Sequence, residues 1–295
     1  MLNMAVFWNQ GFRDRVNISL FGLAVSDLLS LAAFLLMSLW SSPFRVHTDM
    51  SRLSREFLYL SSGVPHIAFA RVTGWLTAFV AFERCLCIAL PLEVRLILTN
   101  RRVALFVICS FCLTMALFAS LFYTNRFAWK FFPEFNQTLL GMVYSEDRYP
   151  LENIMFPIDN LIPAFFSFVV VLICTIILAA ELSRKTILNN EETKGLKDSS
   201  IQRISRKKLK VTKMVSILSV VYVVTYTPSV AANILSLCEP EFSLVGRYKN
   251  MCSFFYSFAF ILEAVNSSVT VCVYYRMSAK FRMTFLIMFC TEFKG

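Results

Sequence analysis

The sequence predicts an all-α integral membrane bundle: six spanning helices followed by a short helix lying in the membrane interface. Three observations carry this. Hydrophobic residues make up 57% of the chain, aromatic residues 15%, and mean hydropathy is +0.61, whereas soluble chains are nearer 45–50% apolar. The charged residues, 16% of the total, gather in short clusters between apolar blocks of about 20 residues, the length that crosses a bilayer. Backbone groups in lipid must be satisfied internally, and blocks of this length do that as helices.

In order, Met1–Trp8 is apolar but too short to span, and it carries no signal-peptide features. The six expected spans are approximately Ile18–Trp40, Phe57–Leu90, Val103–Tyr123, Ile154–Leu182, Lys210–Leu237 and Met251–Tyr275. Ser278–Phe289, with Lys280 and Arg282 among Phe281, Phe285, Leu286 and Ile287, reads as an amphipathic helix in the interface. Of the 29 Lys/Arg, 20 fall on one set of alternate loops and 8 on the other. The richer side is the cytosol, which places both ends of the chain inside and Trp40 and Trp129 at the outer interface. The net charge of +10 is thus held on one membrane face, and no soluble basic domain exists for nucleic acid.

Asn136-Gln137-Thr138 falls outside and is a glycosylation candidate at Asn136. Asn17-Ile18-Ser19 and Asn266-Ser267-Ser268 match the same pattern by chance, inside the cell or within the membrane. Cys238 and Cys252 flank one short outer loop and form a disulfide candidate. The cysteines have no zinc-ligand spacing. With eight glycines and no phosphate loop, metal cluster or nucleophile constellation, no enzymatic chemistry is expected.

At the inner end of the second span, Glu83-Arg84-Cys85 is followed by Pro91. Ionisable groups survive near hydrocarbon when paired or close to water, so Glu83 is expected to pair with Arg84. Leu23-Ala24-Val25-Ser26-Asp27, Pro163, Tyr222 with Tyr226-Thr227-Pro228, Asn266-Ser267 and Tyr274, and Lys280-Phe281-Arg282 follow in order. Together these landmarks resemble rhodopsin-like (class A) G-protein-coupled receptors over nearly the whole chain. Around Glu83–Pro91 the wording is closest to invertebrate orphan, peptide-like and chemosensory-like members. The resemblance implies one receptor domain over 1–295 with a seven-transmembrane fold, N-terminally truncated, its first helix largely absent. It also implies an extracellular ligand (a peptide or small molecule), a heterotrimeric G protein as partner, and residence in the plasma membrane.

Residue by residue, the resemblance assigns G-protein coupling to Glu83, Arg84 and Cys85. It assigns a sodium site to Asp27, Thr73, Asn266 and Ser267, the alternative being a hydrogen-bonded structural acid. Tyr274, Pro163 and Pro228 are switch or kink positions, since each proline removes a helix hydrogen bond. Five further side chains are ligand-pocket candidates: His66, Arg71, Asp159, Tyr226 and Glu263. His66 stands where amine receptors carry an aspartate, which disfavours an aminergic ligand. Arg71 and Asp159 are expected to pair within the bundle, or to free one charge for a ligand. Cys290 is a palmitoylation candidate. The serines Ser199, Ser200 and Ser205 near Arg206-Lys207-Lys208 are candidates for phosphorylation.

Departures from that family are also legible. The usual outer-loop disulfide is absent, with Tyr59 in place of one of its cysteines. Thr270-Val271 replaces Asn-Pro, Val171 replaces a tyrosine, and Lys208 stands where relatives carry an acid that would hold Arg84. A non-signalling receptor relative and a multi-pass transporter are the competing readings. The chain shows no internal repeat of the transporter kind.

Overall fold

The computed structural model describes residues 2–40, 55–90, 93–133, 136–145, 151, 154–155, 157–192, 199–239, 241–242 and 246–290. The helices are α1 (Leu2–Gln10), α2 (Arg15–Trp40), α3 (Arg55–Leu58), α4 (Val64–Ala89), α5 (Val94–Ile97) and α6 (Asn100–Thr124), then α7 (Ile162–Glu192), α8 (Ser199–Cys238), α9 (Lys249–Met277) and α10 (Ala279–Cys290). Six of them are long and apolar enough to cross a membrane, at the expected places. Their outward faces are apolar: Val224 is 66% exposed and Phe254 68%, which suits contact with lipid tails and not with water.

The central helix is α4, which packs against α2, α6, α7 and α8. Small residues let the neighbours approach. A Cβ added at Gly74 would stand 2.7 Å from the Tyr222 hydroxyl and 3.0 Å from Ser167 Oγ, so α7 and α8 close on α4 because glycine is there. Tyr222 and Tyr226 stack at 4.2 Å between centroids, and the Tyr226 hydroxyl donates to the Ala70 carbonyl at 3.4 Å.

Two π-helical turns, Tyr59–Gly63 and Pro157–Leu161, precede α4 and α7. Each is followed within two residues by a proline, Pro65 and Pro163. A proline ring clashes with the carbonyl four residues back, and that carbonyl falls inside the π turn in both cases. The wider turn absorbs the clash. Pro163 therefore sits at the junction of a π turn and an α-helix rather than within a long α-helix, whereas Pro228 lies inside α8.

The short α1 is docked, not loose. Val6 and Phe7 are buried, and Phe7 meets Tyr274 and Phe281 edge-on at 5.1 and 5.4 Å. Gly11, with φ +75°, turns the chain from α1 into α2, a left-handed conformation that favours glycine. Asn17 donates to the Phe7 carbonyl at 3.0 Å and to that of Gly11. Its burial accounts for a glycosylation pattern that is structural.

Between α6 and α7 the chain forms an antiparallel hairpin, β1 (Asn125–Phe132) and β2 (Gln137–Tyr144), with Asn125 opposite Tyr144. The sequence reading placed only a loop here. Trp129, expected at the outer interface, is an exposed residue on the hairpin's first strand; the side chain of Trp40 lies outside the described ones.

Candidate functional site

Four layers of polar side chains are stacked along α4 and its neighbours, and the lowest is at the C-terminal end of α4. Glu83 is fully buried, and its carboxylate lies 2.9 Å from Arg84 and 2.9 Å from Arg15. Arg15 was not among the expected site residues. It stands at the start of α2 and also donates to the carbonyls of Val94 and Leu98, both at 3.0 Å. One guanidinium thus ties α2 to α4 and to the short loop helix α5. Among the described residues, Arg84 has no ion-pair partner on another helix. The side chain of Lys208, expected opposite it, lies outside the described ones. Cys85 approaches α7, its thiol 3.7 Å from the Cys174 carbonyl. An open cleft of about 500 Å³ beside Arg15 is lined by Arg13, Asp14, Leu98, Thr99 and Asn100.

The next layer centres on Asp27, 4% exposed. Thr73 and Ser267 donate to Oδ1 at 3.1 and 3.0 Å, and Thr270 donates to Oδ2 at 3.4 Å. Ser26 and Thr73 hydroxyls lie 2.9 Å apart, and Asn3 of α1 donates to Thr270 at 3.4 Å. Three helices and α1 therefore meet at one carboxylate. Asn266 is buried but is not one of Asp27's hydrogen-bond partners; Thr270 takes that place. The Tyr274 hydroxyl, also buried, has no hydrogen-bond partner among the described residues.

Above it, Ser167 Oγ and the Tyr222 hydroxyl bridge α7 and α8 at 3.2 Å. The outermost layer joins α2, α4 and α9. His66 Nδ1 faces Ser30 Oγ at 2.9 Å and its carbonyl at 3.1 Å, while Nε2 faces Glu263 at 3.5 Å. Both ionisable groups are essentially unexposed. Phe34 and Phe260 close over the imidazole. On α8, Asn233 accepts from the Tyr256 hydroxyl at 3.1 Å, leaving its Nδ2 without a partner.

Three expectations need correction. Arg71 and Asp159 are both buried but do not pair with one another; among the described residues it is His66 and Glu263 that face each other in this half. Asp159 lies in the Pro157–Leu161 π turn, whose wider winding changes the direction in which successive side chains point. Cys238 and Cys252 are both free thiols. Cys238 ends α8 exposed, while Cys252 is buried one turn into α9, so they do not face one another. Asn266 drops out of the Asp27 set, as described above. Asn136 sits exposed at the hairpin turn with φ 49°. Cys290 ends α10, and its side chain and those of Ser199, Ser200 and Ser205 lie outside the described ones.

A family model described as serpentine type 7TM GPCR chemoreceptor Srw matches residues 13–292. The chain belongs to this family. No curated protein matches it. As an Srw chain it is a multi-pass membrane receptor. The landmarks missing from sequence reasoning were Arg15, Asn3, Ser30, Asn233 and Tyr256. Only Ser30 had a local signal, since it stands one turn from Asp27 on the same helix face.

Proposed function

We propose that this Srw receptor resides in the plasma membrane with both ends of the chain in the cytosol, and passes an extracellular ligand signal to a heterotrimeric G protein through Arg84. The observation that carries the reading is how Arg84 is held. Its ion-pair partner is the preceding residue of its own helix, and that partner is shared with Arg15. A charge held so locally, at the inner rim, is available to a transducer segment that offers carbonyl or carboxylate oxygens from the cytosol. Ligand binding in the outer layer would bias α8, which carries Tyr226 and Pro228, toward the arrangement that exposes Arg84. Asp27 fits a sodium ion in its donor chemistry: one carboxylate with the hydroxyls of Thr73, Ser267 and Thr270, all hard oxygens. A bound sodium would supply a positive charge that favours the resting packing of α2, α4 and α9.

The test is basal guanine-nucleotide exchange in membranes containing the receptor and each class of Gα in turn, at matched receptor amounts. Glu83→Gln is expected to raise exchange by releasing Arg84, and adding Arg84→Ala is expected to return it to background. If neither variant changes exchange with any Gα class, coupling through Arg84 is wrong and the non-signalling reading gains.

A further inference from the structure

We propose that Arg71 anchors the carboxylate of an amphiphilic organic acid. This rests on the receptor reading above and names the class of ligand. Arg71 is 5% exposed and its Nε has no hydrogen-bond partner. Among the described residues its guanidinium takes part in no ion pair. It lies 13 residues before Arg84 on α4, or about 20 Å deeper at 1.5 Å per residue. An unpaired cation that far from the inner rim is costly, and such charges pair or mark a ligand path.

The surroundings favour an acid over an amine. Arg71 lies within electrostatic reach of His66, Tyr222, Tyr226 and Tyr256, none of which is a carboxylic acid. Asn233, bonded to Tyr256, adds an amide N–H that has no acceptor. A carboxylate is acceptor-only, with about four lone-pair sites, and a guanidinium fork matches it bidentately. An ammonium group would place a second cation beside Arg71, while Glu263 already faces His66. Toward the N-terminal end of α4 the packing turns apolar, with Leu60, Val64, Ile67, Phe118 and Phe260 in one cluster. The ligand therefore carries its acid at one end and an apolar body behind it. A medium-chain fatty acid and the C-terminus of an apolar peptide share this chemistry.

Two matched probe pairs distinguish the sources: octanoate against octanamide, and N-acetyl-Leu-Phe with a free carboxylate against its C-terminal amide. The readout is the thermal unfolding midpoint of the purified receptor in nanodiscs. At least one acid is expected to raise the midpoint by a few degrees while its amide does not, and the pair that responds identifies the source. Arg71→Met should abolish that shift, and Arg71→Lys, which keeps the charge but loses the fork, should retain part of it. Without probe, Arg71→Met should melt no lower than the wild type, because it removes an unpaired buried charge. The anchor is wrong if neither acid shifts the wild type, if acid and amide shift it equally, or if Arg71→Met keeps the acid's shift. Nucleotide exchange on the same samples separates the two readings. Acid binding through Arg71 without any exchange leaves the anchor standing and sinks coupling. Exchange driven equally by an amide in Arg71→Met does the reverse.

Discussion

The inner and outer charge sets on α4 are built from similar parts and differ in what completes them. At the Arg84 end of α4 two arginines share one glutamate, and the surplus positive charge borders an open cleft at Arg15. In the other half His66 and Glu263 face one another, Asp159 is buried, and among the described residues Arg71 takes part in no ion pair. Near the membrane edge an extra cation is shared with water and lipid headgroups. About 20 Å further in, the same surplus has no such outlet. An imbalance tolerated at the rim as structure becomes, at depth, a reason to expect a ligand.

The largest test of that contrast removes each acid. Glu83→Ala leaves two arginines facing one another without an anion, and should destabilise the bundle by about 3–5 kcal/mol. Glu263→Ala should cost less, about 1–3 kcal/mol, because the imidazole partner can stay neutral and loses only a polar contact. Thermal unfolding in nanodiscs measures both, and equal losses would break the comparison. Gly74→Ala probes the packing between the two sets. Its methyl group would displace the Tyr222 hydroxyl and Ser167 and should cost about 1–3 kcal/mol by overpacking, visible as a lower midpoint.

Smaller effects sharpen the layer that lies between them. At ten times its dissociation constant, sodium should stabilise the wild type by about 1.4 kcal/mol, and Asp27→Asn should remove that dependence while potassium has little effect on either protein. A sodium response unchanged in Asp27→Asn would take the ion away from this layer. The smallest expected effect on stability is at the hairpin. Asn136→Gln should leave the midpoint unchanged but remove one glycosidase-sensitive gel shift. A chain from cells that carries no such shift would place the hairpin on the inner side, and Arg84 outside.

The spans were legible because hydropathy and length are local quantities, and each membrane span, π turns included, matches its expected block within a few residues. Much of the site was also visible, since Asp27, His66, Glu83 and Glu263 are ionisable groups inside apolar blocks, where few are tolerated. The hairpin was not: its strands mix aromatic and polar residues, and its turn carries Pro133 and Asn136 without a short hairpin signature.

Sequence by itself determined that this chain crosses a membrane, which loops are basic, and which ionisable groups are buried, because those follow from solvent transfer of nearby residues. Only the tertiary structure decided who meets whom. Arg15 reaches Glu83 across 68 positions, and His66 takes Glu263 from nearly two hundred residues away. Helical periodicity fixes a side chain's direction about its own axis but not the rotation of the neighbouring helix. Where the residue lies within a π turn, as Asp159 does, even that first direction is shifted.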